Sequence, residues 1–169
     1  MLNKELLILD RIYLKPEASQ RELALSTGIS LGQTNITIKK LTFDGFLRQD
    51  AVGKRKIKYS LTQRGLAERA RLSNEAVLLT IQNYRKIKRA VIALLNKLCS
   101  DGYKEFILEG DRRGEMHEVI ADVFDDNFRE KATLYWGPQE PKEGQLVLNL
   151  DRRFLTEKHY INVLHEITI

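Results

Sequence analysis

Apolar residues recur at helical spacing in three stretches of the first 44 residues. The first stretch predicts a helix over residues 2–14 that ends before Pro16, because the residue before a proline is disfavoured in a helix. The second predicts a helix from Ser19 to about Ser26, and the third a helix from Ser30 to about Asp44. The apolar or core-facing positions are Leu2, Leu6, Leu7, Leu9 and Ile12, then Leu23, then Thr34, Ile38 and Leu41.

The starts of the second and third helices carry matching capping signals. Each start has a serine followed three residues later by a side chain that can bond back to the serine N–H. The pairs are Ser19 with Glu22 and Ser30 with Gln33. Both pairs therefore predict a capping box. Gly28 lies between them and supplies the left-handed backbone of a tight turn. Two capped helices joined in this way predict a helix-turn-helix, whose second helix is the one usually presented to the DNA major groove.

A basic hairpin is predicted directly after the third helix. Asp44 and Gly45 end that helix, Phe46 and Leu47 begin a strand, and residues 57–61 form a second strand. The tip between the strands, residues 53–56, carries three cations in a row. A basic hairpin that follows two capped helices predicts a wing.

A long connecting helix is predicted next. Thr62 offers one cap and Ser73 a second, so the pattern leaves open whether one or two helices run to about Leu98. An apolar stripe at coiled-coil-like spacing must be buried, either against a second copy, which we favour, or on the C-terminal domain. The predicted dimer residues are Val77, Ile81, Tyr84, Val91 and Leu95.

The periodicity changes after Tyr103 and predicts a small α/β domain. We expect strands over residues 104–109, 132–136, 145–149 and 161–169, and a helix over residues 114–124. The predicted fold class is α+β, with an N-terminal winged helix-turn-helix, a long connecting helix and a small C-terminal α/β domain. The predicted boundaries are residues 1–72, 73–98 and 99–169.

Charge is unevenly distributed along the 169 residues. Residues 1–98 hold 19 Lys and Arg against 8 Asp and Glu, whereas residues 99–169 hold 9 against 15. Such a split is typical of a DNA-binding module joined to a domain with another role, although scattered solvated charges would produce it too. The single cysteine, Cys99, fits a reducing compartment. With no signal-peptide pattern and no membrane-length apolar run, we expect a cytoplasmic protein without membrane partners.

The chemistry of the third helix and the wing predicts a surface for double-stranded DNA. Amide side chains pair with adenine, aliphatic groups contact thymine methyls, and lysines reach guanine or phosphate. The alternative is that Gln33 only caps the helix and that Asn35 is only solvated. The predicted DNA-binding residues are Ser30, Leu31, Gln33, Asn35, Ile36, Lys39, Lys40, Lys54, Arg55, Lys56 and Lys58.

Several short runs together resemble a known family: residues 19–24, 28–30, 40–41, 45–46 and 61–72. They are similar to the winged helix-turn-helix of MarR-type transcription regulators, most of all to the subgroup associated with exopolysaccharide gene clusters. The resemblance covers about residues 4–72. It implies operator binding by the helices and wing of a homodimer. The usual arginine-rich third helix is replaced here by the run from Asn35 to Thr37, so the operator sequence stays open.

The turn after the first C-terminal strand is the main candidate site of that domain. It keeps Gly110 and Gly114 but lacks the GxGxxG pattern of dinucleotide folds, and bulky Arg112 and Arg113 stand between them. These arginines could instead hold a small anion, although we favour a degenerate structural turn. We expect no metal, since Ala121 stands where an HExxH zinc site needs its second histidine. We also expect no cofactor and no enzymatic activity.

The sequence favours a sequence-specific DNA-binding transcription regulator with a C-terminal sensing or interaction domain. One alternative is a protein-interaction module that uses the winged helix and the acidic C-terminal domain without DNA. A second is a degenerate nucleotide-sugar-binding enzyme domain, suggested by the turn at Gly110 alone.

Overall fold

The computed structural model describes residues 3–52, 56–151 and 159–167 as a mixture of helices and strands. The chain divides into two compact units, Met1–Thr80 and Ile81–Ile169. We call them the N-terminal unit and the C-terminal unit. Each has a hydrophobic core of its own, so each is described separately.

The N-terminal unit contains three helices and a two-stranded hairpin. The helices are α1 (Lys4–Leu14), α2 (Gln20–Thr27) and α3 (Leu31–Phe43), which confirms all three predicted helices. Strands β1 (Leu47–Val52) and β2 (Lys56–Leu61) pair antiparallel, with Leu47 opposite Leu61 and Val52 opposite Lys56. Two of the predicted wing-tip residues, Lys54 and Arg55, lie outside the described residues.

The core of this unit is built from one face of each helix and from the second strand. Ile8, Leu9, Leu23 and Leu41 are fully buried, as the apolar spacing predicted for most of them. Tyr59 of β2 is also buried, which attaches the hairpin to the helices. Burying side chains of this size contributes about 1.5–3 kcal/mol each. The hairpin is thus held by the helical core rather than by its own pairing alone.

One continuous helix, α4 (Gln63–Ser100), follows the hairpin. The Thr62 hydroxyl accepts a hydrogen bond from the Gly65 N–H at 3.1 Å and donates one to the Gly45 carbonyl at 2.7 Å. Ser73 lies inside this helix, so the second helix start that the sequence left open at that residue is not used.

The apolar stripe of α4 is covered in one half and exposed in the other. Val91 and Leu95 are each 1% exposed and lie in the core of the C-terminal unit. Their place in the predicted dimer seam is therefore corrected, because their own chain already covers them. Val77, Ile81 and Tyr84, by contrast, are 41–56% exposed.

The C-terminal unit contains a four-stranded parallel sheet. The strands are β3 (Glu105–Glu109), β4 (Thr133–Trp136), β5 (Gln145–Asn149) and β6 (Tyr160–Asn162), in the order β4-β3-β5-β6. Helix α5 (Glu115–Asn127) connects β3 to β4, as predicted. Three fully buried side chains of the sheet and α5, Phe106, Leu148 and Val123, pack into one core with the end of α4.

The prediction of a last strand over residues 161–169 is wrong. Strand β6 ends at Asn162, and a short helix, α6 (Val163–Glu166), follows. The Asn162 side chain explains the change. Its oxygen accepts a hydrogen bond from the His165 N–H at 3.0 Å, and its nitrogen donates one to the Asp151 carbonyl at 2.7 Å. The residue therefore caps a helix start where apolar spacing alone suggested an extended chain.

The backbone of α4 comes very close to that of Phe46 at Gly65, which predicts that a larger residue at position 65 destabilises the fold. A Cβ placed on Gly65 would lie 2.0 Å from the Phe46 carbonyl oxygen, so Gly65→Ala must push the helix away from the hairpin. We expect a loss of about 3 kcal/mol in the free energy of unfolding, measured by denaturant titration. Gly32→Ala is the matched control, because a Cβ on that helical glycine meets nothing within 4 Å. It should be neutral or stabilising, by up to about 1 kcal/mol. Equal stability of the two variants would contradict the packing described here.

Candidate nucleic-acid interface

The start of α2 is fixed by a reciprocal pair of capping side chains, and its end by a glycine. The Ser19 hydroxyl accepts from the Glu22 N–H at 3.2 Å, and the Glu22 carboxylate accepts from the Ser19 N–H at 2.8 Å, which confirms the first capping box. A hydrogen bond from Lys15 at 2.8 Å, together with those from Ser19, lowers the pKa of the Glu22 carboxyl to about 2. Gly28 has the predicted left-handed conformation, with φ of 69°.

The second capping box is only half formed. The Ser30 hydroxyl accepts from the Gln33 N–H at 3.4 Å, and within the described part of the chain the Gln33 side chain makes no return bond to Ser30. Ser30 is therefore the N-cap of α3, and the predicted reciprocal bond is corrected. The Gln33 side chain is left available for other contacts.

Helix α3 buries one face and exposes the opposite one. Thr34, Thr37, Ile38 and Leu41 are buried, which confirms the predicted core stripe and adds Thr37 to it. The Thr37 hydroxyl donates to the Gln33 carbonyl at 2.9 Å, so it has no free polar group to offer a ligand. At 100° per residue, the positions opposite this stripe are Gly32, Ile36, Lys39 and Phe43. We call these four residues the outer ridge of α3.

The predicted DNA-binding residues of α3 lie in three directions around the helix. Ile36 and Lys39 stand on the outer ridge. Leu31 and Asn35 line a groove on one side of it, and Gln33 lines a pocket with Lys4 and Leu7 of α1 on the other.

Lys40 lies on the α1 side and forms an ion pair with Glu5. The hydrogen bond from Lys40 to Glu5 raises the pKa of the lysine, so its charge is already engaged. Lys39, by contrast, is exposed and forms no ion pair among the described residues. Of the two neighbouring lysines, Lys39 is the one free to contact an anionic partner.

The groove beside α3 is bounded by the wing and by the start of α2. It has a volume of about 600 Å³, and its walls include Leu31 and Asn35 of α3, Ile57 of β2 and Arg21 of α2. Tyr59 sets the position of the wing wall. Its hydroxyl accepts from the Gln20 amide at 2.9 Å, and its N–H donates to the Pro16 carbonyl at 3.1 Å.

The described part of the wing carries an exposed cation on the strand face opposite Ile57 and Tyr59. Lys58 is exposed and pairs in register with Asp50, whose carboxylate is bound by Arg48 at 3.2 Å. The side chain of Lys56 belongs with Lys54 and Arg55 to the part of the tip that lies outside the described residues. The predicted basic tip therefore stays a prediction.

Two residues of this surface are absent from those that the sequence predicted. Phe43 ends the outer ridge with 92% of its surface exposed. It lies four residues after Lys39 and seven after Ile36, so continuing the helical spacing would have found it. Arg21 lies in the first turn of α2 and lines the groove, a position that patterns in α3 and the wing alone do not reach.

In the C-terminal unit, the turn between β3 and α5 has the predicted position. Arg112 and Arg113 are both exposed there. Gly110 has φ of 143°, and a Cβ on it would lie 2.7 Å from the Leu150 Cβ, so this glycine serves a close packing contact. The Asp111 carboxylate accepts from the Arg113 N–H at 3.0 Å.

Other reactive groups are isolated or already packed. The His117 ring lies against Trp136, with ring centroids 4.5 Å apart. Burial raises the pKa of the Cys99 thiol, which keeps it in the less reactive protonated form. Across residues 3–52, 56–151 and 159–167 there is no group of three or more His, Cys, Asp and Glu that could hold a metal ion.

Comparison with known protein families supports the geometry of the N-terminal unit. Residues 1–48 match the model of a family described as winged helix-turn-helix DNA-binding. This match covers α1, α2, α3 and the start of β1, and it indicates a DNA-binding regulator. No curated protein sequence matches the chain. None of the helices in the described residues is long and apolar enough to cross a membrane.

Proposed function

We propose that this protein is a sequence-specific transcription regulator that binds double-stranded DNA through α3 and the wing. The observation that carries the proposal is the solvent-facing outer ridge of α3, within a unit that matches a DNA-binding family. A helix is about 10–12 Å in diameter with its side chains, which fits the major groove of about 12 Å width, and the 13 residues of α3 span about 20 Å along it. A MarR-type regulator is the finer identity that we propose.

Electrostatics supports DNA as the partner of this surface. Lys39 is exposed on the outer ridge and Lys58 is exposed on the wing, and the sequence adds Lys54, Arg55 and Lys56 at the wing tip. Cations near a helix that lies in the major groove contact phosphates and set the orientation of the protein on the duplex. In this proposal residues 1–72 bind DNA and residues 73–98 connect the two domains. Residues 99–169 sense a ligand or bind a partner.

The wing proposal predicts a specific salt dependence. Replacing Lys54, Arg55 and Lys56 with alanine removes up to three cations that can pair with DNA phosphates. The slope of log affinity against log salt should then fall by about 0.9 for each phosphate that is no longer neutralised, measured by fluorescence polarisation with random-sequence duplex DNA.

The matched control removes the same charge from α4. Arg85, Lys86 and Arg89 are exposed on that helix, and replacing them with alanine should change the slope by less than about 0.9. Equal effects of the two triple variants would mean that net charge alone drives binding. An absence of binding by the unaltered protein at low salt would contradict DNA binding itself.

We propose further that two copies of the chain associate through the exposed part of the α4 stripe. Val77, Ile81 and Tyr84 are apolar, fall on one stripe and keep 41–56% of their surfaces in contact with solvent. Leu78 and Leu79 add further exposed apolar surface on other sides of the same helix. A helix typically buries its apolar stripe, so this segment needs a cover. A second copy would provide it and would supply two α3 helices for a palindromic operator.

Ile81→Asp tests the dimer. A carboxylate in an apolar seam loses about 2 kcal/mol or more in association, so sedimentation equilibrium should show a marked shift towards monomer. Gln82→Asp places the same charge on the adjacent exposed position of the helix and should leave the dimer intact. Monomeric unaltered protein, or dimers of equal strength in both variants, would contradict the proposed seam.

For the C-terminal unit we propose a regulatory role, through a small anionic ligand or a protein partner. Support comes from Arg112 and Arg113, which are exposed at the carboxyl end of β3. Ligands of open parallel sheets bind at this edge. Thermal-shift measurements with inorganic anions and nucleotides test the ligand form of this proposal.

A further inference from the structure

We propose that the outer ridge of α3 reads A·T base pairs, and that it does so by packing Ile36 and Phe43 against the 5-methyl groups of thymine. This inference rests on the proposed DNA binding and adds the class of base sequence that the surface prefers. It does not depend on the wing, on the dimer or on the C-terminal unit.

Two of the four residues on the outer ridge carry large apolar side chains. Ile36 is 62% exposed and Phe43 is 92% exposed, although both are large apolar side chains in a well-formed helix. They are seven residues apart, which places them about 10 Å apart along the helix axis on the same side. Neither belongs to the hydrophobic core of the N-terminal unit. If the outer ridge enters the DNA major groove, these two large apolar side chains need an apolar partner there.

The major groove offers one such partner. The thymine C5-methyl is the apolar group that B-DNA displays on its major-groove base edges, and apolar side chains are its usual contacts. Guanine and cytosine present only acceptors and a donor there. Ile36 and Phe43 against a G·C pair would remove water from those polar groups without replacing their hydrogen bonds, which is unfavourable.

The hydrogen-bonding side chains of α3 also favour A·T over G·C pairs. The helix contains no arginine, the side chain that most often recognises guanine. Lys40 is held by Glu5, which leaves Lys39 as the remaining cation of the helix. Lys39 stands between Ile36 and Phe43 on the ridge, from where its long side chain also reaches phosphate.

Asn35 provides the complementary contact to adenine. Its amide can pair with the N6 and N7 atoms of adenine at once. In the described residues the Asn35 side-chain oxygen is buried and has no hydrogen-bond partner. Turning this amide outward towards a base therefore breaks no hydrogen bond of that oxygen. Asn35 and Ile36 together could read both bases of an A·T pair or of adjacent pairs.

The test isolates the methyl group. Three duplex pools of equal length are compared at the same salt concentration with the full-length protein. One is randomised between A·T and T·A pairs, the second is identical but contains deoxyuridine in place of thymidine, and the third is randomised between G·C and C·G pairs. The uracil pool keeps every hydrogen-bonding group and lacks only the methyls. We expect tighter binding to the thymine pool than to the uracil pool, by about 4-fold for each methyl contacted.

Variants assign the effect to the ridge. Ile36→Ala and Phe43→Ala should each reduce the preference for thymine over uracil, expressed as the ratio of the two affinities. Leu25→Ala is the matched control, because Leu25 is an equally exposed apolar residue, at 84%, on α2 rather than α3. It should keep the full thymine preference. Circular dichroism of each variant checks that the helices are intact.

The outcomes separate this inference from the proposed function. Equal binding to the thymine and uracil pools, or tighter binding to the G·C pool, would overturn the thymine inference while DNA binding stands. Failure to bind any pool at low salt would overturn DNA binding itself, and the outer ridge would then fit the protein-interaction alternative. A thymine preference that persists in both ridge variants would overturn the assignment to Ile36 and Phe43.

Discussion

Burial of one face of α3 in the core of the N-terminal unit determines which of its side chains can reach a partner. Thr34, Ile38 and Leu41 are held among the side chains of α1, α2 and β2, so a rotation of the helix would expose apolar surface and open the core. The outer ridge points to solvent because of this packing. The wing follows from the same core, since the buried Tyr59 attaches β2 to α2 and to the loop before it.

The N-terminal unit was largely predictable from sequence because its signals are local. Ser19 with Glu22, and Gly28 nine residues after Ser19, define a helix start and a turn through contacts only a few residues apart. The reciprocal cap at α3 is the part that failed, because Gln33 matches a capping box by spacing but makes no return bond to Ser30. Spacing also does not show that Lys40 pairs with Glu5 of α1, a contact between residues 35 positions apart.

In the C-terminal half, too, local patterns were predictable from sequence and long-range contacts were not. Runs of apolar residues located three of the strands and α5, but the strand order depends on pairings between residues 13 to 40 positions apart that spacing does not encode. Val91 and Leu95 share the stripe of Val77 and Ile81, and only the position of the C-terminal core distinguishes the covered pair from the exposed pair. Asn162 ends the last strand through its side chain, where propensity alone extends it.

Contact between DNA and the outer ridge of α3 can be observed residue by residue. Amide and methyl spectra of the isotope-labelled full-length protein, recorded during titration with random-sequence duplex DNA at low salt, locate the surface that DNA contacts. We expect the largest shifts at Ile36, Lys39 and Phe43, with smaller shifts at Lys58 of the wing. Shifts confined to the unit Ile81–Ile169, or unchanged spectra at saturating DNA, would contradict it.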